Sequence, residues 1–406
     1  MTQRAIGKPV LFLLPYGRMQ FIVGVLALCL LAVGCSSAPR SAVNPNLTLQ
    51  EDQDQLLRLA EEEQKILDES GLLYRDQALE EYLNEIVRRL QAAEISAKTP
   101  IQVIVVEDPY LNAFALPNGV IYVHTGILAR MDNEAQLAIL LAHEMTHCTR
   151  RHALRVYQRL KNKPAFLAAV RDTLNQWGKL GALASLLGST GLTPGFTQDL
   201  ENEADRVGLE LASAAGYDSC EALKLFAHLK EELETENLKE PFLFGTHPKL
   251  AKRLKYYQAF CENHFQEDAD KITNTEVFLA KIHPLILDNA WLDLKRGRFR
   301  SAQRGAERYL AIQADDGRAY YLLGEVFRQR GKDNDLQKAK IYYQQAISRD
   351  PAYAEPYRAM GLIYYKEGQK RLARPFFESC LSLAPNISDK AYIEGYLRKC
   401  TPHEGG

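Results

Sequence analysis

The alternation of apolar and polar residues indicates a helical chain that is interrupted by one short β region. Before that region, apolar residues recur at the spacing of one helix face. They are Leu79, Tyr82, Leu83, Ile86, Val87 and Leu90. The stretch "IQVIVVED" is then rich in β-branched residues, and "NAFALPNGVIYVHTG" is typical of two short strands around a Pro-Asn-Gly turn. The pattern predicts a small sheet inside a helical domain.

Two further helices are predicted after the sheet. The first begins near Asp132, which is a plausible N-cap, and it has Glu134 in its first turn. The second runs from Thr197 to Ala215 and is closed by Gly216 at the C′ position.

Internal repeats follow from His283 onward, with a period of about 34 residues. In the clearest unit, Ala354 to about Ser388, small and aromatic residues match the positions of a tetratricopeptide repeat. They are Tyr357, Met360, Gly361, Tyr364, Gly368, Ala373, Phe377 and Pro385. The preceding unit matches if an insertion around "KDNDLQ" is allowed, and a degenerate first unit keeps Gly297 and Ala302. Small residues at fixed positions let paired helices pack closely, so residues 283–388 are predicted to form an α-solenoid.

The N-terminus has the features of a bacterial export signal. Basic residues precede the apolar run "MQFIVGVLALCLLAVG", and the run ends at Cys35. The tail "LLAVGC" resembles the lipobox, in which the cysteine is acylated. Residues 1–34 are therefore predicted to be a lipoprotein signal peptide, with lipidation at Cys35 and a tether over residues 35–50. A simple signal peptide or a membrane anchor is the alternative, and Ser36 after the cysteine favours an outer-membrane address.

No later stretch reaches the roughly 20 apolar residues that a membrane-spanning helix needs. The mature chain is therefore expected in the periplasm, which is an oxidising compartment. Its cysteines are Cys148, Cys220, Cys261, Cys380 and Cys400. An odd number leaves at least one of them unpaired, and a disulfide between Cys380 and Cys400 is one candidate pairing.

Composition changes this picture little. The apolar content of 46 % and the charged content of 25 % are ordinary for a folded chain, and the net charge of −1 gives no nucleic-acid signature. From Lys281 to the end, 22 Lys and Arg stand against 15 Asp and Glu. This surplus favours two bodies with different surfaces and an acidic partner for the repeats, although ordinary scatter of solvated charges explains it equally well.

The predicted helix after the sheet contains "HEMTH", with His143, Glu144 and His147. On a helix the two histidines share a face, with Cβ atoms about 5–6 Å apart, which suits two imidazole ligands of one zinc ion. Glu144 lies about 100° round the helix, beside the ligands. It can take a proton from the attacking water and return it to the leaving amine. His152 and Arg151 fall off the ligand face and are interpreted as structural.

A catalytic zinc site also needs a third protein ligand and one open position. The stretch "ENEADRVG" offers Glu201 and Asp205 four residues apart on one helix face. Glu201 can bind the metal, and Asp205 can accept a hydrogen bond from the second nitrogen of a ligand histidine. Glu203 is a rival ligand but points to a different face. By itself this acidic cluster is more typical of a solvated helix surface.

Together, "HEMTH", "ENEAD", "NAFALPNGVIYVHTGIL" and "THPKLAKR" resemble the HtpX/CAAX-prenyl-protease superfamily of zinc metallopeptidases over roughly Glu51 to Cys261. The resemblance implies a helical, gluzincin-type domain with a small sheet. It further implies one Zn²⁺ ion, held by the metal ligands His143, His147 and Glu201, with Glu144 and Asp205 as catalytic residues. Membrane-embedded members carry several transmembrane helices, whereas a lipoprotein leader and C-terminal repeats are similar to the periplasmic branch.

That branch implies a quality-control protease, anchored to the outer membrane, that degrades misfolded or stalled outer-membrane proteins near the barrel-assembly machinery. The repeats would dock a partner or a substrate. The alternative is a tetratricopeptide adaptor or chaperone for outer-membrane protein assembly, in which proteolysis is secondary. A purely structural zinc site fits poorly, because such sites are closed and rich in cysteine.

Two further features are expected to act on substrates. A peptide would lie extended along a sheet edge, for which Gly119 to Val123 is the candidate strand. His247 in "GTHPKL" is hypothesised to fill the open zinc position and silence the enzyme, because an envelope protease must spare healthy neighbours. Otherwise it is a structural histidine. Higher proteolysis by a His247→Ala variant would support the regulatory role, and unchanged or lower proteolysis would contradict it.

The predicted fold is mainly α. A zinc metallopeptidase domain spans residues 51–270, tetratricopeptide repeats span 283–388, and a C-terminal helix or tail spans 389–406.

Overall fold

The computed structural model describes residues 48–93, 100–164, 196–236, 250–263 and 271–400. Within these ranges the chain is mainly helical and contains one three-stranded sheet, so the predicted fold class is confirmed. Cys35 and His247 lie outside the described residues. Among the described helices, none combines the length and the apolar character needed to cross a bilayer.

The N-terminal domain is built around the helix that carries the two histidines. Its described elements are α1 (Leu49–Glu69), α2 (Gln77–Ala93), β1 (Gln102–Val106), β2 (Ala113–Ala115), β3 (Val120–His124), α3 (Thr125–Leu128), α4 (Glu134–Thr149), α5 (His152–Leu160), α6 (Gln198–Ala214), α7 (Glu221–Thr235) and α8 (Leu250–Asn263). The predicted stripe lies on α2, and all six of its apolar residues are buried. They belong to the same apolar core as α4, which is therefore packed between α2, the sheet and α6.

The sheet corrects one prediction. Its strand order is β1-β3-β2, with β3 parallel to β1 and antiparallel to β2. The stretch from Gly119 to Val123 is therefore in the centre of the sheet, and the prediction that it forms an edge was wrong. Four consecutive residues of β3 are buried, which is the pattern of a strand covered on both faces. The edge strand nearest the histidine helix is β2.

The predicted boundaries of α4 and α6 need only small changes. The N-cap of α4 is Asn133 rather than Asp132, because the Asn133 backbone is extended and its side chain accepts a hydrogen bond from the Gln136 N–H. Helix α6 has Thr197 as its N-cap and ends at Ala214, and Gly216 follows with φ 88°. A Cβ atom at Gly208 of α6 would lie 2.9 Å from the backbone nitrogen of His143. Glycine there allows α6 to approach the histidine helix closely.

The C-terminal half is a series of helix pairs. They are α9 (Thr275–Lys295) with α10 (Phe299–Ile312), α11 (Gly317–Arg330) with α12 (Asp335–Arg349), and α13 (Ala354–Lys366) with α14 (Lys370–Leu383), followed by α15 (Lys390–Cys400). Gly324 of α11 faces the Tyr343 ring, and Gly361 of α13 faces the Phe377 ring, so small residues meet large rings as the repeat pattern predicted. Helix α9 begins before His283, and its apolar side chains enter the core of the N-terminal domain.

A buried ionic network also joins the two halves. Arg130, which lies between α3 and α4, contacts Glu232 of α7 at 2.9 Å and Asp293 of α9 at 2.8 Å. Ser301 and Arg304 of α10 also bond to Glu232. Because the first repeat shares both this network and the apolar core, the repeats are fixed against the N-terminal domain.

The cysteine pairing differs from the one considered above. Cys220, at the start of α7, is disulfide-bonded to Cys261 of α8, with their Cα atoms 5.6 Å apart. Cys148, Cys380 and Cys400 are buried free thiols, so the Cys380–Cys400 pairing was wrong and the expectation of an unpaired cysteine is confirmed. Cys380 and Cys400 instead pack as small apolar side chains in the last apolar cluster. The disulfide between Cys220 and Cys261 joins α8 to α7.

Candidate metal centre

Three buried side chains converge between α4 and α6. His143 and His147 lie one turn apart on α4, with their Nε2 atoms 3.1 Å apart. Glu201, in the first turn of α6, brings Oε2 to 3.7 Å from His143 Nε2 and Oε1 to 3.5 Å from His147 Nε2. One ligand atom from each residue lies within 4.8 Å of the others. The structure thus brings together the three residues that the sequence predicted as ligands.

This donor set suits a divalent cation. Burial, with a further contribution from the Arg253 guanidinium, lowers the pKa of His143, so its imidazole is neutral as a ligand must be. Burial also raises the pKa of Glu201 to about 8, which means that its negative charge is costly in this position without a cation beside it. Two imidazole nitrogens and one carboxylate oxygen are a donor set typical of catalytic zinc.

Glu144 is next to the first histidine on α4 and is 1 % exposed. Its position follows from the helix, since consecutive residues are about 100° apart. It lies beside the ligand face rather than on it, as the sequence indicated. Its carboxylate is also close enough to Cys148 to contribute to raising the pKa of that buried thiol, although burial is the larger cause. This placement suits a proton-transferring group beside the metal site.

Asp205 fixes the outer side of His143. Its Oδ1 lies 3.0 Å from His143 Nδ1, the nitrogen that points away from Glu201. Arg253 of α8 donates to Asp205 Oδ2 at 3.0 Å and contacts Oδ1 at 2.5 Å, and the Tyr257 hydroxyl donates to Oδ1 at 2.6 Å. Burial opposes ionisation of Asp205, but the Arg253 charge and these hydrogen bonds hold the pKa of the carboxyl below its usual range. Asp205 is therefore a charged acceptor that orients the His143 ring.

Arg253 and Tyr257 were missed by the sequence analysis. Both are buried on α8, four residues apart, and the Arg253 guanidinium also lies 4.4 Å from the centre of the Phe226 ring. In the sequence, Arg253 is the last residue of the stretch "THPKLAKR". That stretch contributes to the family resemblance but indicates no role for the arginine. A single arginine about fifty residues beyond Asp205 has no periodicity that connects it to the carboxylate.

Glu203 and His152 take positions that simple helix geometry did not reveal. Glu203 lies outside the three-residue cluster and accepts a hydrogen bond from Arg155 at 2.7 Å. His152 is fully buried, and its Nδ1 lies 3.0 Å from His147 Nδ1. His152 is thus not a member of the ligand cluster, and it lies directly behind one of the ligands.

A cavity of about 380 Å³ opens beside His147. Glu61 and Arg151 are among its polar lining residues. Its apolar lining includes Leu56, Leu57, Leu116, Pro117, Leu154 and Phe196. One wall is α1, and the opposite wall is the turn that follows β2. The Phe196 ring stacks on the His147 ring with their centres 4.0 Å apart. His147 is thus both a member of the ligand cluster and a part of the cavity wall.

Comparison with known proteins agrees with this geometry. The sequence model of Peptidase family M48 matches residues 75–259, and a tetratricopeptide repeat model matches residues 317–353 and 354–387. The beta-barrel assembly-enhancing protease of Escherichia coli O157:H7 is 31 % identical over 192 residues, which are 46 % of this chain and 39 % of that protein. The protein of that name from Yersinia pestis is 31 % identical over the same shares of the two chains.

A mitochondrial protein is also similar to this chain. The mitochondrial metalloendopeptidase OMA1 of Schizosaccharomyces pombe is 32 % identical over 176 residues, which are 43 % of this chain and 50 % of that protein. This chain therefore spans about two fifths to one half of the length of these relatives. The residues that match the Peptidase family M48 model, 75–259, contain the metal centre.

Proposed function

We propose that this chain, which carries a Peptidase family M48 domain over residues 75–259 followed by tetratricopeptide repeats, is a zinc-dependent endopeptidase of the bacterial periplasm. The observation that carries the proposal is the buried cluster of His143, His147 and Glu201 with Glu144 beside it. When bound, zinc is a Lewis acid that polarises the scissile carbonyl and lowers the pKa of a water molecule.

Side chains of the protein transfer the proton and orient the metal ligands. Glu144 accepts the proton of the attacking water and delivers it to the leaving amine. Asp205, held by Arg253, fixes the ring of His143 and keeps its Nε2 directed at Glu201. Both roles require that few water molecules reach the site. The acidic and imidazole side chains at the centre are all buried, which supplies that condition; they are His143, Glu144, His147, Glu201 and Asp205.

Among the described residues, no strand pairs with the outer edge of β2, which offers a place for the substrate backbone once the contacts that bury Ala113 and Ala115 open. Leu116 N donates to Val120 O, and His124 N donates to Asn112 O, so the even-numbered residues of this segment bond to β3. In an antiparallel pair the alternate residues face the other way, which directs the backbone groups of Ala113 and Ala115 away from β3. A peptide added as a strand there is held by main-chain hydrogen bonds and needs no fixed sequence.

The cavity beside His147 suits an apolar side chain of that peptide. It lies where β2 ends, so an antiparallel peptide would place a residue from the amino side of the cleaved bond in it. Unfolded β-barrel proteins expose alternating apolar residues, which suit both the strand edge and the cavity. We therefore propose misfolded or stalled outer-membrane proteins as substrates, in line with the names of the bacterial relatives.

The location and the partner are further parts of the proposal. The leader and the lipobox support an anchor at Cys35 in the inner leaflet of the outer membrane. The repeats are fixed to the peptidase domain through α9, which supports docking of a substrate or of the barrel-assembly machinery close to the cleft. His247 as an inhibitory fourth ligand stays a proposal.

The function is tested by incubating the purified, zinc-loaded protein with an unfolded outer-membrane β-barrel protein. We expect cleavage of the unfolded form, little cleavage of the same protein folded in detergent, and loss of activity after chelation that is reversed by added zinc. The measurement is the rate of fragment formation. Cleavage that persists without metal, or no cleavage by the zinc-loaded protein, would refute the proposal.

The cavity gives a prediction for the same assay. A Leu57→Arg substitution is expected to lower kcat/KM about 10- to 100-fold for bonds that have an apolar residue at the bound position, because it puts a charge in an apolar site. The control is Ile66→Arg, which lies on the same helix outside the cavity. Cleavage-site sequencing should show the apolar preference lost in the first variant and kept in the second. An unchanged preference in both would remove the cavity from the substrate site.

A further inference from the structure

We propose that a chain of contacts, from the Glu203 carboxylate through His152, positions His147 for metal binding. The inference rests on the proposed function, because it assigns roles to residues behind one of the ligands. His143 is held from behind by the Asp205 carboxylate, at its Nδ1. At the Nδ1 of His147, the second ligand histidine, the structure places another histidine, His152.

A break in the helix brings His152 to this position. In an uninterrupted helix, a residue five places after His147 would lie about 140° round the axis from it. Helix α4 ends at Thr149, and Arg151 adopts a left-handed conformation with φ 53° and ψ 44°. A non-glycine residue in this region is uncommon and costs conformational energy. The resulting turn directs the first residue of α5, His152, back against the His147 ring.

The atoms form a connected chain. His147 turns its Nε2 toward Glu201 and its Nδ1 toward His152 Nδ1, at 3.0 Å. On the far side, His152 Nε2 lies 3.5 Å from Glu203 Oε2. Glu203 is held by Arg155 at 2.7 Å, and Phe196 stacks on the open face of His147. His152 and His147 are both buried, so water does not compete for the contact between them.

The proton positions follow from this geometry. A His147 that gives the lone pair of Nε2 to a metal carries its proton on Nδ1. That proton can be accepted only if His152 Nδ1 is unprotonated, which places the His152 proton on Nε2. The negative charge of the Glu203 carboxylate, 3.5 Å from this nitrogen, favours the proton there. Glu203 thereby selects the tautomer of His152, and His152 in turn fixes the ring angle and the tautomer of His147.

Zinc affinity tests the chain without relying on proteolysis. We expect His152→Leu to weaken zinc binding about 10- to 100-fold, as is usual when the hydrogen-bond partner of a ligand is removed. His152→Asn keeps an acceptor near the Nδ1 position and should recover most of the affinity. The affinity is measured by competition with a chelator, and the control is His228→Leu on the surface of α7, 40 % exposed. Wild-type affinity in both His152 variants would overturn the proposal.

Two further measurements cover a variant that does not fold. Glu203→Leu changes a partly exposed side chain and should weaken zinc binding several-fold, and unchanged affinity would contradict the role of Glu203. In the zinc-loaded wild type, nitrogen NMR of the histidines should show His152 protonated on Nε2, and a proton on Nδ1 would contradict the chain. If the wild type binds no zinc, the proposed function fails. If it binds zinc and cleaves but the variants match it, only this inference fails.

Discussion

A Glu144→Gln variant is expected to bind zinc as the wild type does and to lose about 100- to 10,000-fold in kcat. The amide has almost the shape of the carboxylate, and Glu144 is not one of the three clustered ligands, so folding and metal content should be preserved. The glutamine amide cannot accept a proton from water at neutral pH, so the proton transfer is lost. The measurements are zinc content per chain and the cleavage rate of an unfolded β-barrel protein.

The matched control is Glu210→Gln, an equivalent change at an exposed position of α6, where the carboxylate forms an ion pair with Arg206. It should leave the rate unchanged. Cleavage by the Glu144→Gln variant at more than a tenth of the wild-type rate would remove Glu144 from the mechanism. If this variant lacks cleavage in vitro yet restores every phenotype of a deletion strain, the adaptor function is primary and proteolysis is secondary.

Replacing Arg130 by Met is expected to lower the free energy of unfolding by about 3–5 kcal/mol. Arg130 is the cation shared by two buried carboxylates, Glu232 and Asp293. Its removal takes away the charge that lies between them and leaves Glu232 with Arg304 and Asp293 with Arg298. The measurement is denaturant-induced unfolding. The control, Arg206→Met, removes an exposed pair and should cost less than about 1 kcal/mol.

The same variant should change the pH dependence of stability. Burial alone would raise the pKa of Glu232, but Arg130 and the bonds from Ser301 and Arg304 lower it to about 2 from an ordinary value of 4.5. The stability that this group contributes is therefore complete above about pH 4.5 and is lost as the pH falls toward 2. Without Arg130 the lowering is smaller, so the deficit of the variant should shrink over that range. A deficit that grows on acidification would contradict this assignment.

The acidic response is assigned to Glu232 because Asp293 behaves differently. Asp293 is fully buried, and burial raises its pKa despite the nearby Arg130 and Arg298. A group of this kind does not lose stability on acidification, since protonation relieves its burial. A double variant with Glu232→Gln should therefore remove most of the difference in pH dependence between wild type and Arg130→Met.

The sequence by itself determined the local features of this protein. Helical periodicity predicted the stripe on α2, and the four-residue spacing of His143 and His147 placed two ligands on one face, because both follow from the geometry of a single helix. The spacing in "ENEAD" did the same for Glu201 and Asp205 on α6, and the repeat pattern predicted the paired helices of the C-terminal half. Each of these signals is contained within one element or one hairpin.

Only the tertiary structure decided which elements meet. The strand from Gly119 to Val123 was predicted to be an edge, but β1 and β2 pair with its two sides. The residue pattern within one strand does not show which other strands pair with it. Arg253 reached Asp205 through packing of α8, which the Cys220–Cys261 disulfide joins to α7. His152 reached His147 because one left-handed residue turns the chain between two helices. The ligands could be read from spacing along the chain, whereas the residues that hold them depend on contacts that form only when the chain folds.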